Sequence, residues 1–364
     1  MSHSITAPPR AWAEINLSAL LKNLAFIKQH SNQAVMAVLK AGAYGHGIEA
    51  IASALDNQNL AYFGVASVIE ARKLTQAQIN TPIYLLGPTF PEERPEIVHN
   101  RWTPCISSID EAEHFNQLNS GNTPIVVHIT VDTGMGRGGF LPMALPGAIS
   151  RIQQLPNIQI EGIGSHLPSA DEDRDFTLKQ FASFEAAVRS NKAKYIHLSN
   201  SAGLLDYSNT ATNLVRPGLM LYGISPIPKY QHHLSPVMTL KSRVSLVRTL
   251  PAGHGISYGR DTILDQDTRV ATIGIGYGDG YPRAVSNTNA KVRIRGTLCP
   301  LLGRVTMDQI MVDVSKLPDC TPGDEVELFG PNILVSDIAK AANTIPWEVL
   351  TGITPRVTRT YTTS

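Results

Sequence analysis

The sequence predicts an α/β fold, with a parallel (β/α)8 barrel over residues 1–230 followed by a mostly antiparallel β domain over residues 231–364. Two observations predict this division. Up to about residue 225, short apolar runs alternate with amphipathic stretches, which is the pattern of strand-helix-strand units. Beyond about residue 230, β-rich runs are separated by Gly, Pro, Asn and Asp turns. Prolines cluster at 226–236, where we expect the linker.

Eight apolar runs are the candidate barrel strands, at 34–41, 61–66, 83–87, 103–107, 125–131, 158–165, 195–199 and 213–216. Helix starts are indicated where Ser67-x-x-Glu70 and Thr177-x-x-Gln180 spell a capping box. In the second domain the β runs are 237–250, 270–275, 291–298, 304–314 and 324–329, with one helix near 337–342. Because the chemistry of such barrels gathers at the carboxyl ends of the strands, residues that follow the first eight runs are candidate site residues.

The composition is that of an ordinary globular enzyme, with 43% hydrophobic and 17% charged residues. The balance of 31 basic and 30 acidic side chains gives no electrostatic reason to expect nucleic acid or a membrane as partner. No apolar run has the length of a membrane span and the first thirty residues lack a secretory pattern, so the cytoplasm is the expected location. The three cysteines form no C-x-x-C pair and the eleven histidines show no helical metal-ligand spacing, so no disulfide framework or metal site is predicted.

Lys40 opens the most informative segment, 40–47, directly after a run that reads as a strand buried on both faces. A lysine there lies at the mouth of the barrel, where partial burial of an ammonium costs free energy unless the group is used. A Schiff base with a carbonyl compound is one such use. A lysine that extends to water is the alternative, and the glycines and Tyr44 beside it favour the functional interpretation.

Gly134-x-Gly136-x-x-Gly139 spells the dinucleotide fingerprint, but we interpret it as a false match. It follows the fifth strand of a barrel pattern rather than the first strand of a doubly wound sheet, and prolines interrupt the helix that should follow. Arg137 is the informative residue here, because its planar fork suits a carboxylate or phenolate oxygen. Pairing with Asp132 is the alternative.

The segments after the seventh and eighth strands, 197–201 and 216–223, are candidate phosphate-binding loops. Ser201 and the backbone of Gly218 and Leu219 fit that role, although ordinary turn chemistry explains each piece alone. His166 ends the sixth strand, where a neutral imidazole can hydrogen-bond a neighbouring arginine.

The second domain carries three polar turns flanked by glycine, at 255–262, 276–283 and 303–309. They read either as hairpin connectors or as site loops. Tyr258 is a candidate acid or base if cationic neighbours lower the pKa of its phenol.

Together these segments resemble alanine racemases, the fold-type III enzymes that use pyridoxal 5′-phosphate, over nearly the whole chain. The resemblance implies that Lys40 holds the cofactor as an internal aldimine and that Arg216, oriented by His166, faces the pyridine nitrogen. It implies that Arg137 contacts the phenolate and the substrate carboxylate, and that Met307 and Tyr281 line the substrate entrance. The implied cofactor-binding set is Lys40, Tyr44, His166, Asn200, Ser201, Arg216, Gly218 and Leu219, in which Tyr44, Ser201 and the backbone at 218–219 hold the phosphate.

The implied reaction interconverts L-alanine and D-alanine and supplies D-alanine for peptidoglycan. Two bases on opposite faces of a planar aldimine exchange the Cα proton, Lys40 on the D-specific face and Tyr258 on the L-specific face. An arginine at the pyridine nitrogen keeps the ring unprotonated, which favours return of the proton to Cα over transamination. In this family the tyrosine comes from the other subunit, so a head-to-tail homodimer is expected.

Four positions depart from the family pattern. Gly42 replaces an asparagine, and Gly278 replaces an alanine. Thr130 stands where many members have a carbamylated lysine, so an anion or another side chain is expected to orient Arg137. Pro355 stands where some members have a tyrosine that contacts phosphate, and that role is not transferred.

Several alternatives remain open from sequence: a broader-specificity small amino-acid racemase, a related barrel decarboxylase, a non-catalytic carrier of pyridoxal phosphate and a cofactor-free Schiff-base aldolase. Arg216 argues against a decarboxylase, which typically has an acidic partner at the pyridine nitrogen. The second domain that carries Tyr258 argues against a single-barrel carrier.

Overall fold

The structure, a computed structural model, describes residues 8–208 and 211–363. These residues form two compact units. The barrel unit consists of residues 21–43 and the described part of 47–234. The sheet unit consists of the described residues up to Leu20, Tyr44–His46, and the described residues from Ser235 onward. The sheet unit therefore contains an N-terminal strand that the sequence pattern did not assign to it.

The first strand and helix of the described residues are β1 (Ala11–Asn16) and α1 (Leu17–Ser31), after which eight parallel strands follow. These strands are β2 (Ala34–Val38), β3 (Tyr62–Val65), β4 (Ile83–Leu85), β5 (Thr103–Ile106), β6 (Ile125–Thr130), β7 (Ile158–Gly164), β8 (Tyr195–His197) and β9 (Leu214–Val215). They form a closed barrel in sequence order, with β9 pairing β2. The predicted (β/α)8 barrel is confirmed. Its interior is packed by a cluster of buried side chains: Met36, Tyr62, Tyr84, Cys105 and Leu214.

Helices follow the barrel strands: α2 (Ile48–Leu55), α3 (Val68–Gln76), α4 (Arg94–Asn100), α5 (Ile109–Leu118), α6 (Leu145–Ile152), α7 (Arg174–Val188) and α8 (Ser201–Asp206). The helix α6 shows why these segments are helical. It buries Leu145, Ala148, Ile149 and Ile152, the spacing that puts apolar side chains on one face of a helix.

The two predicted capping boxes are only partly correct. The Ser67 hydroxyl does cap α3 by accepting from the Glu70 N–H, but the Glu70 carboxylate accepts from Ala66 and Gly42 instead of closing the box. Helix α7 is capped by Asp173, whose carboxylate accepts from the Phe176 N–H. Thr177 lies inside that helix, because an aspartate one turn earlier is a strong N-cap.

Besides β1, the sheet unit contains β10 (Met238–Leu250), β11 (Gly255–Ile256), β12 (Thr262–Ile263), β13 (Thr268–Ile273), β14 (Lys291–Ile294), β15 (Thr297–Leu302), β16 (Ile310–Asp313), β17 (Glu325–Phe329), α9 (Val335–Ala341), α10 (Pro346–Thr351) and β18 (Thr358–Thr362). Its main sheet has eight strands in the order β13-β16-β15-β14-β17-β10-β1-β18, and β10 also pairs with β13. Only the pairing of β1 with β18 is parallel among the described strands of this sheet. The predicted mostly antiparallel β domain is confirmed.

The expected strand at 291–298 is a hairpin of two strands. Arg295 and Gly296 have φ of 47° and 85°, and this pair of left-handed residues forms the two-residue turn between β14 and β15. The helix α10 was not predicted from sequence. No helix of the described residues is long and apolar enough to cross a membrane.

Candidate active site

Lys40 begins a left-handed turn, Lys40–Tyr44, that follows β2. Ala41, Gly42, Ala43 and Tyr44 have φ of 53°, 63°, 56° and 53°. Each non-glycine residue in this region costs about 1–2 kcal/mol, so the surrounding structure must impose the turn. The Glu70 carboxylate contributes by accepting from the Gly42 N–H at 3.3 Å.

The environment of Lys40 favours its neutral amine. Burial lowers the pKa of Lys40, and the positive charges of Arg137 and Arg216 lower it further, whereas the Glu70 carboxylate acts in the opposite direction. A half-buried amine among cations is a better nucleophile and base at neutral pH than an exposed lysine.

Arg216 is the buried cation of the site, with 6% of its surface exposed. Its guanidinium donates to Nδ1 of His197 at 2.6 Å, to Nδ1 of His166 at 3.2 Å and to the Ser165 carbonyl at 2.6 Å. Burial lowers the pKa of Arg216 to about 10, so it is still protonated at neutral pH. The guanidinium is thus fixed by acceptors that carry no charge.

His166 lies in contact with Arg216, as the sequence interpretation expected. Burial lowers the pKa of His166 to about 3, and the charges of Arg216, Arg137 and Lys40 contribute to this. The ring is therefore neutral, and its Nδ1 lone pair is available to accept from the guanidinium.

Arg137 is exposed and makes no ion pair among the described residues. Asp132, the alternative partner considered from sequence, instead accepts from the backbone N–H groups of Gly134, Met135 and Gly136. Next to Arg137 is a cavity of about 30 Å³, and Thr130 is among its lining residues. The guanidinium is thus available for an anionic ligand.

Ser201 joins the loops that follow β8 and β9. Its hydroxyl oxygen accepts from the backbone N–H groups of Gly218 at 3.1 Å and Met220 at 3.4 Å. Asn200 caps α8 through the Gly203 N–H and ties the loop to the Leu167 carbonyl at 2.9 Å. A hydroxyl and a turn of backbone N–H groups at this edge of a barrel are the groups that typically bind a phosphate.

Tyr44 belongs to the sheet unit and is 5% exposed. Burial raises the pKa of its phenol well above the ordinary value, so it is neutral. Its carbonyl contacts Nδ1 of His46 at 2.9 Å, and the Arg359 guanidinium donates to the Gly45 carbonyl at 3.1 Å.

Tyr258 lies on a short turn of the sheet unit, Tyr258–Arg260, and is 69% exposed. The turn is held by Ser257, whose hydroxyl donates to the Arg304 carbonyl at 2.7 Å. The Arg304 guanidinium, paired with Asp261, lies so close to Gly259 that a Cβ there would be 2.8 Å from its central carbon. The Arg304 guanidinium therefore packs against Gly259, the residue that follows Tyr258. The Tyr258 phenol itself is exposed and available for contact.

Met307 and Tyr281 lie on two turns that are hydrogen-bonded to each other. The Gly278 N–H donates to the Met307 carbonyl at 2.8 Å, and the Tyr277 N–H donates to the Thr306 carbonyl. Met307 is 53% exposed, whereas Tyr281 is fully buried, with a hydroxyl that has no hydrogen-bond partner among the described residues.

Sequence reasoning missed His197, which makes a shorter contact to Arg216 than His166 does. It also missed His128 and Glu161, which continue from His197 into the barrel interior. The sequence signal that could have indicated them is His128 inside the apolar strand β6, because the neighbouring strand β7 contains two glycines, Gly162 and Gly164. Among residues 8–208 and 211–363, no group of three or more metal-ligating side chains is found.

Two family models match the chain: the alanine racemase N-terminal domain over residues 15–226 and the alanine racemase C-terminal domain over residues 237–361. A curated alanine racemase from Halothermothrix orenii is 39% identical, with 99% of this chain and 98% of the relative covered. A solved alanine racemase from Clostridium difficile 630 has a TM-score of 0.91 at 35% identity and covers 99% of this chain and 97% of that one. An alanine racemase from Bartonella henselae, solved with covalently bound pyridoxal phosphate, has a TM-score of 0.90 at 31% identity and covers 98% of this chain and 100% of that one.

The two-unit fold and these matches define the class of the protein: it is an isomerase that racemises an amino acid. The family models together cover more than half of the sequence, and the relatives are similar over nearly all of it. The chain belongs to the alanine racemase family.

Proposed function

We propose that the protein interconverts L-alanine and D-alanine with pyridoxal 5′-phosphate as cofactor, using Lys40 and Tyr258 as bases on opposite faces of the substrate. The observation that carries the proposal is the setting of Lys40, a half-buried amine whose pKa is lowered at the carboxyl edge of the barrel. The names of the relatives, and the cofactor in the Bartonella henselae structure, support the substrate and the cofactor.

The chemistry of the donor set fits the cofactor. Lys40 offers an amine for its aldehyde. Ser201, the backbone at Gly218 and Leu219, and the loop held by Asn200 offer hydroxyl and N–H donors for its phosphate. Tyr44 is expected to add a phenol to this phosphate site. When bound, the cofactor supplies an electron sink that makes the Cα proton of an amino acid acidic.

Arg216 would face the pyridine nitrogen. A guanidinium only donates hydrogen bonds and holds its proton at neutral pH, so it leaves that nitrogen without a proton of its own. His166 accepts from Arg216 and helps to keep it in place. A pyridine nitrogen without a proton favours return of the proton to Cα over transamination.

Lys40 and Tyr258 would hold and move the proton at Cα. On the D-specific face, Lys40 would take the proton as a neutral amine and return it as an ammonium, and on the L-specific face Tyr258 would take it as a phenolate and return it as a phenol. The exposed guanidinium of Arg137 is suited to bind the substrate carboxylate. Met307 and Tyr281 are assigned to the substrate entrance.

Tyr258 would act in the site of the partner subunit of a head-to-tail homodimer. Its 69% exposure leaves its side chain free to contact a second chain. The proposed location is the cytoplasm, and the proposed biological role is the supply of D-alanine for peptidoglycan. The proposed domains are residues 1–230 and 231–364, except that the described residues up to Leu20 and Tyr44–His46 belong to the sheet unit.

The central experiment is solvent-deuterium exchange into L-alanine and D-alanine with added pyridoxal 5′-phosphate, followed by NMR and chiral chromatography. We expect deuterium at Cα of both enantiomers, and no exchange in Lys40→Ala. Serine in place of alanine measures the breadth of specificity. Absence of exchange with alanine in the wild type would contradict the assigned substrate.

Tyr258→Phe tests the second base. We expect this variant to bind the cofactor and to lose most of the exchange that begins from L-alanine, whereas the matched variant Tyr207→Phe, in the barrel unit, keeps it. Full exchange from both enantiomers in Tyr258→Phe would remove the role of this phenol.

Mixed dimers test the shared site. Lys40→Ala and Tyr258→Phe chains, neither of which is expected to racemise alanine at the wild-type rate alone, are unfolded together and refolded as a mixture for an assay of racemisation. If each site takes Lys40 from one chain and Tyr258 from the other, random pairing restores about a quarter of the wild-type activity. Recovery of no activity from well-folded mixed dimers would place both bases in the same chain.

A further inference from the structure

Four polar side chains form a line through the interior of the barrel. The Arg216 guanidinium lies 2.6 Å from Nδ1 of His197, and Nε2 of His197 lies 2.9 Å from Nδ1 of His128. Nε2 of His128 lies 3.9 Å from a carboxylate oxygen of Glu161. The line therefore connects a buried cation at the carboxyl edge with a carboxylate in the middle of β7.

Both histidines of this line are neutral. His128 and His197 are 0% and 3% exposed, and burial lowers the pKa of each ring. Tyr62 and Tyr84 enclose His128, with ring centroids at 5.2 Å and 4.9 Å. Burial in an aromatic enclosure penalises a charged imidazole.

The chemistry of Arg216 fixes the direction of both hydrogen bonds in the line. Arg216 only donates, so Nδ1 of His197 must accept, and its proton is on Nε2. That proton is donated to Nδ1 of His128, which leaves the His128 proton on Nε2, facing Glu161. A neutral imidazole has one donor and one acceptor, and this order pairs both in His197. In His128 the acceptor is paired, and the Nε2–H, which has no hydrogen-bond partner among the described residues, faces the Glu161 carboxylate at 3.9 Å.

The backbone of β7 is shaped for the two rings. His128 pairs in register with Gly162, and His197 pairs with Gly164. A Cβ at Gly162 would lie 2.5 Å from the His128 ring, and one at Gly164 would lie 2.0 Å from the His197 ring. The absence of a side chain at Gly162 and Gly164 thus leaves the space that the two imidazoles occupy. This fit supports the arrangement of the rings independently of their hydrogen bonds.

Glu161 is held as a charged acceptor. The Lys194 ammonium donates to one carboxylate oxygen at 3.0 Å, and the Tyr62 hydroxyl donates to the other. The carboxylate is 17% exposed, and no ion pair to Arg216 is found among the described side chains. Among the described residues, the contacts that connect Glu161 with Arg216 therefore run through the rings of His128 and His197.

We propose that Glu161 is a positioning residue for Arg216, acting through the directed chain His128 and His197. The carboxylate keeps the His128 proton on Nε2, so that His197 presents a lone pair to the guanidinium. Polarisation along the chain strengthens that last hydrogen bond. The effect on catalysis rests on the proposed function, whereas the order of protons in the chain does not.

The test uses the full-length protein labelled with [15N]histidine, with signals assigned through His128→Gln and His197→Gln. In the wild type we expect the proton of His197 on Nε2. Glu161→Gln gives its single carbonyl oxygen to Lys194 and turns an amide N–H toward His128. We then expect the Nδ1 resonance of His197 to move toward its protonated value. Glu96→Gln, which breaks an exposed ion pair in the same unit, is the matched control.

Kinetics of the cofactor-loaded enzyme provide the second readout. We expect Glu161→Gln to lower kcat roughly tenfold, similar to the loss of a group that orients a metal ligand, with KM for alanine within about twofold. In a His128→Gln background the same change is expected to have no further effect, because the chain is already broken.

Two results would overturn the proposal: a wild-type His197 with its proton on Nδ1, or a Glu161→Gln variant with unchanged His197 resonances and kcat. If Glu161→Gln shifts the His197 resonances as expected but the wild-type protein does not racemise alanine, the proposed order of protons in the chain is supported and the proposed function is overturned.

Discussion

Glu161 also provides a prediction about stability. The His128 ring, 3.9 Å away, and the hydrogen bonds from Tyr62 and Lys194 lower the pKa of Glu161 from the ordinary value of 4.5 to about 2. The difference of about 2.5 corresponds to about 3 kcal/mol in the free energy of unfolding, at about 1.36 kcal/mol for each pKa unit. Because the folded-state pKa is depressed, this stability is fully present above pH 4.5 and is lost as the pH falls toward 2.

We therefore expect Glu161→Gln to destabilise the protein by up to about 3 kcal/mol at pH 7, with a gap that narrows below about pH 4.5. The assay is urea unfolding of both proteins at pH 7, 5, 4 and 3, followed by far-UV circular dichroism at one chain concentration, because association affects apparent stability. Glu96→Gln, whose side chain is 32% exposed, should cost less than about 1 kcal/mol at any pH. A gap for Glu161→Gln that is the same at pH 7 and pH 3 would refute the reasoning.

Three further predictions concern other positions. Arg137→Gln removes one of the positive charges that lower the pKa of Lys40. The visible absorbance band that the apoprotein gives when pyridoxal 5′-phosphate reacts with Lys40 should therefore form at a higher pH. An unchanged pH profile would contradict that coupling. Gly164→Ala should destabilise by about 1–3 kcal/mol in urea, whereas Gly147→Ala, in α6 with no atom within 4 Å of the new Cβ, should stabilise by about 0.5–1 kcal/mol. Ser67→Ala removes the cap of α3 and should cost about 1 kcal/mol by the same assay; no loss would show that the cap is not used.

The barrel was predictable because its strands and helices follow simple periodicity. Each of the eight apolar runs contains an observed strand, although the strands end earlier than the runs do. The first run shows why: β2 ends at Val38, and the chain then enters a left-handed turn that no propensity rule assigns to alanine. The hairpin turn at Arg295 was missed for a related reason, since arginine is not a typical residue for positive φ.

The candidate site was predictable where residues follow strands, and not where they lie within them. Lys40, His166 and Arg216 all come just after a strand, a position that barrel chemistry singles out. His128 and Glu161 lie inside strands, and a single sequence does not show that β6 and β7 bring them together. Their contact depends on tertiary register.

The left-handed turn that carries Lys40 has a consequence for when the reactive amine becomes available. A free peptide of this sequence has no reason to adopt the turn, since each of its non-glycine residues pays about 1–2 kcal/mol. Long-range contacts such as that of Glu70 with the Gly42 N–H must therefore form first. We expect a growing polypeptide on the ribosome to carry only an ordinary, unreactive lysine, so that the finished barrel, and not the nascent chain, captures the cofactor.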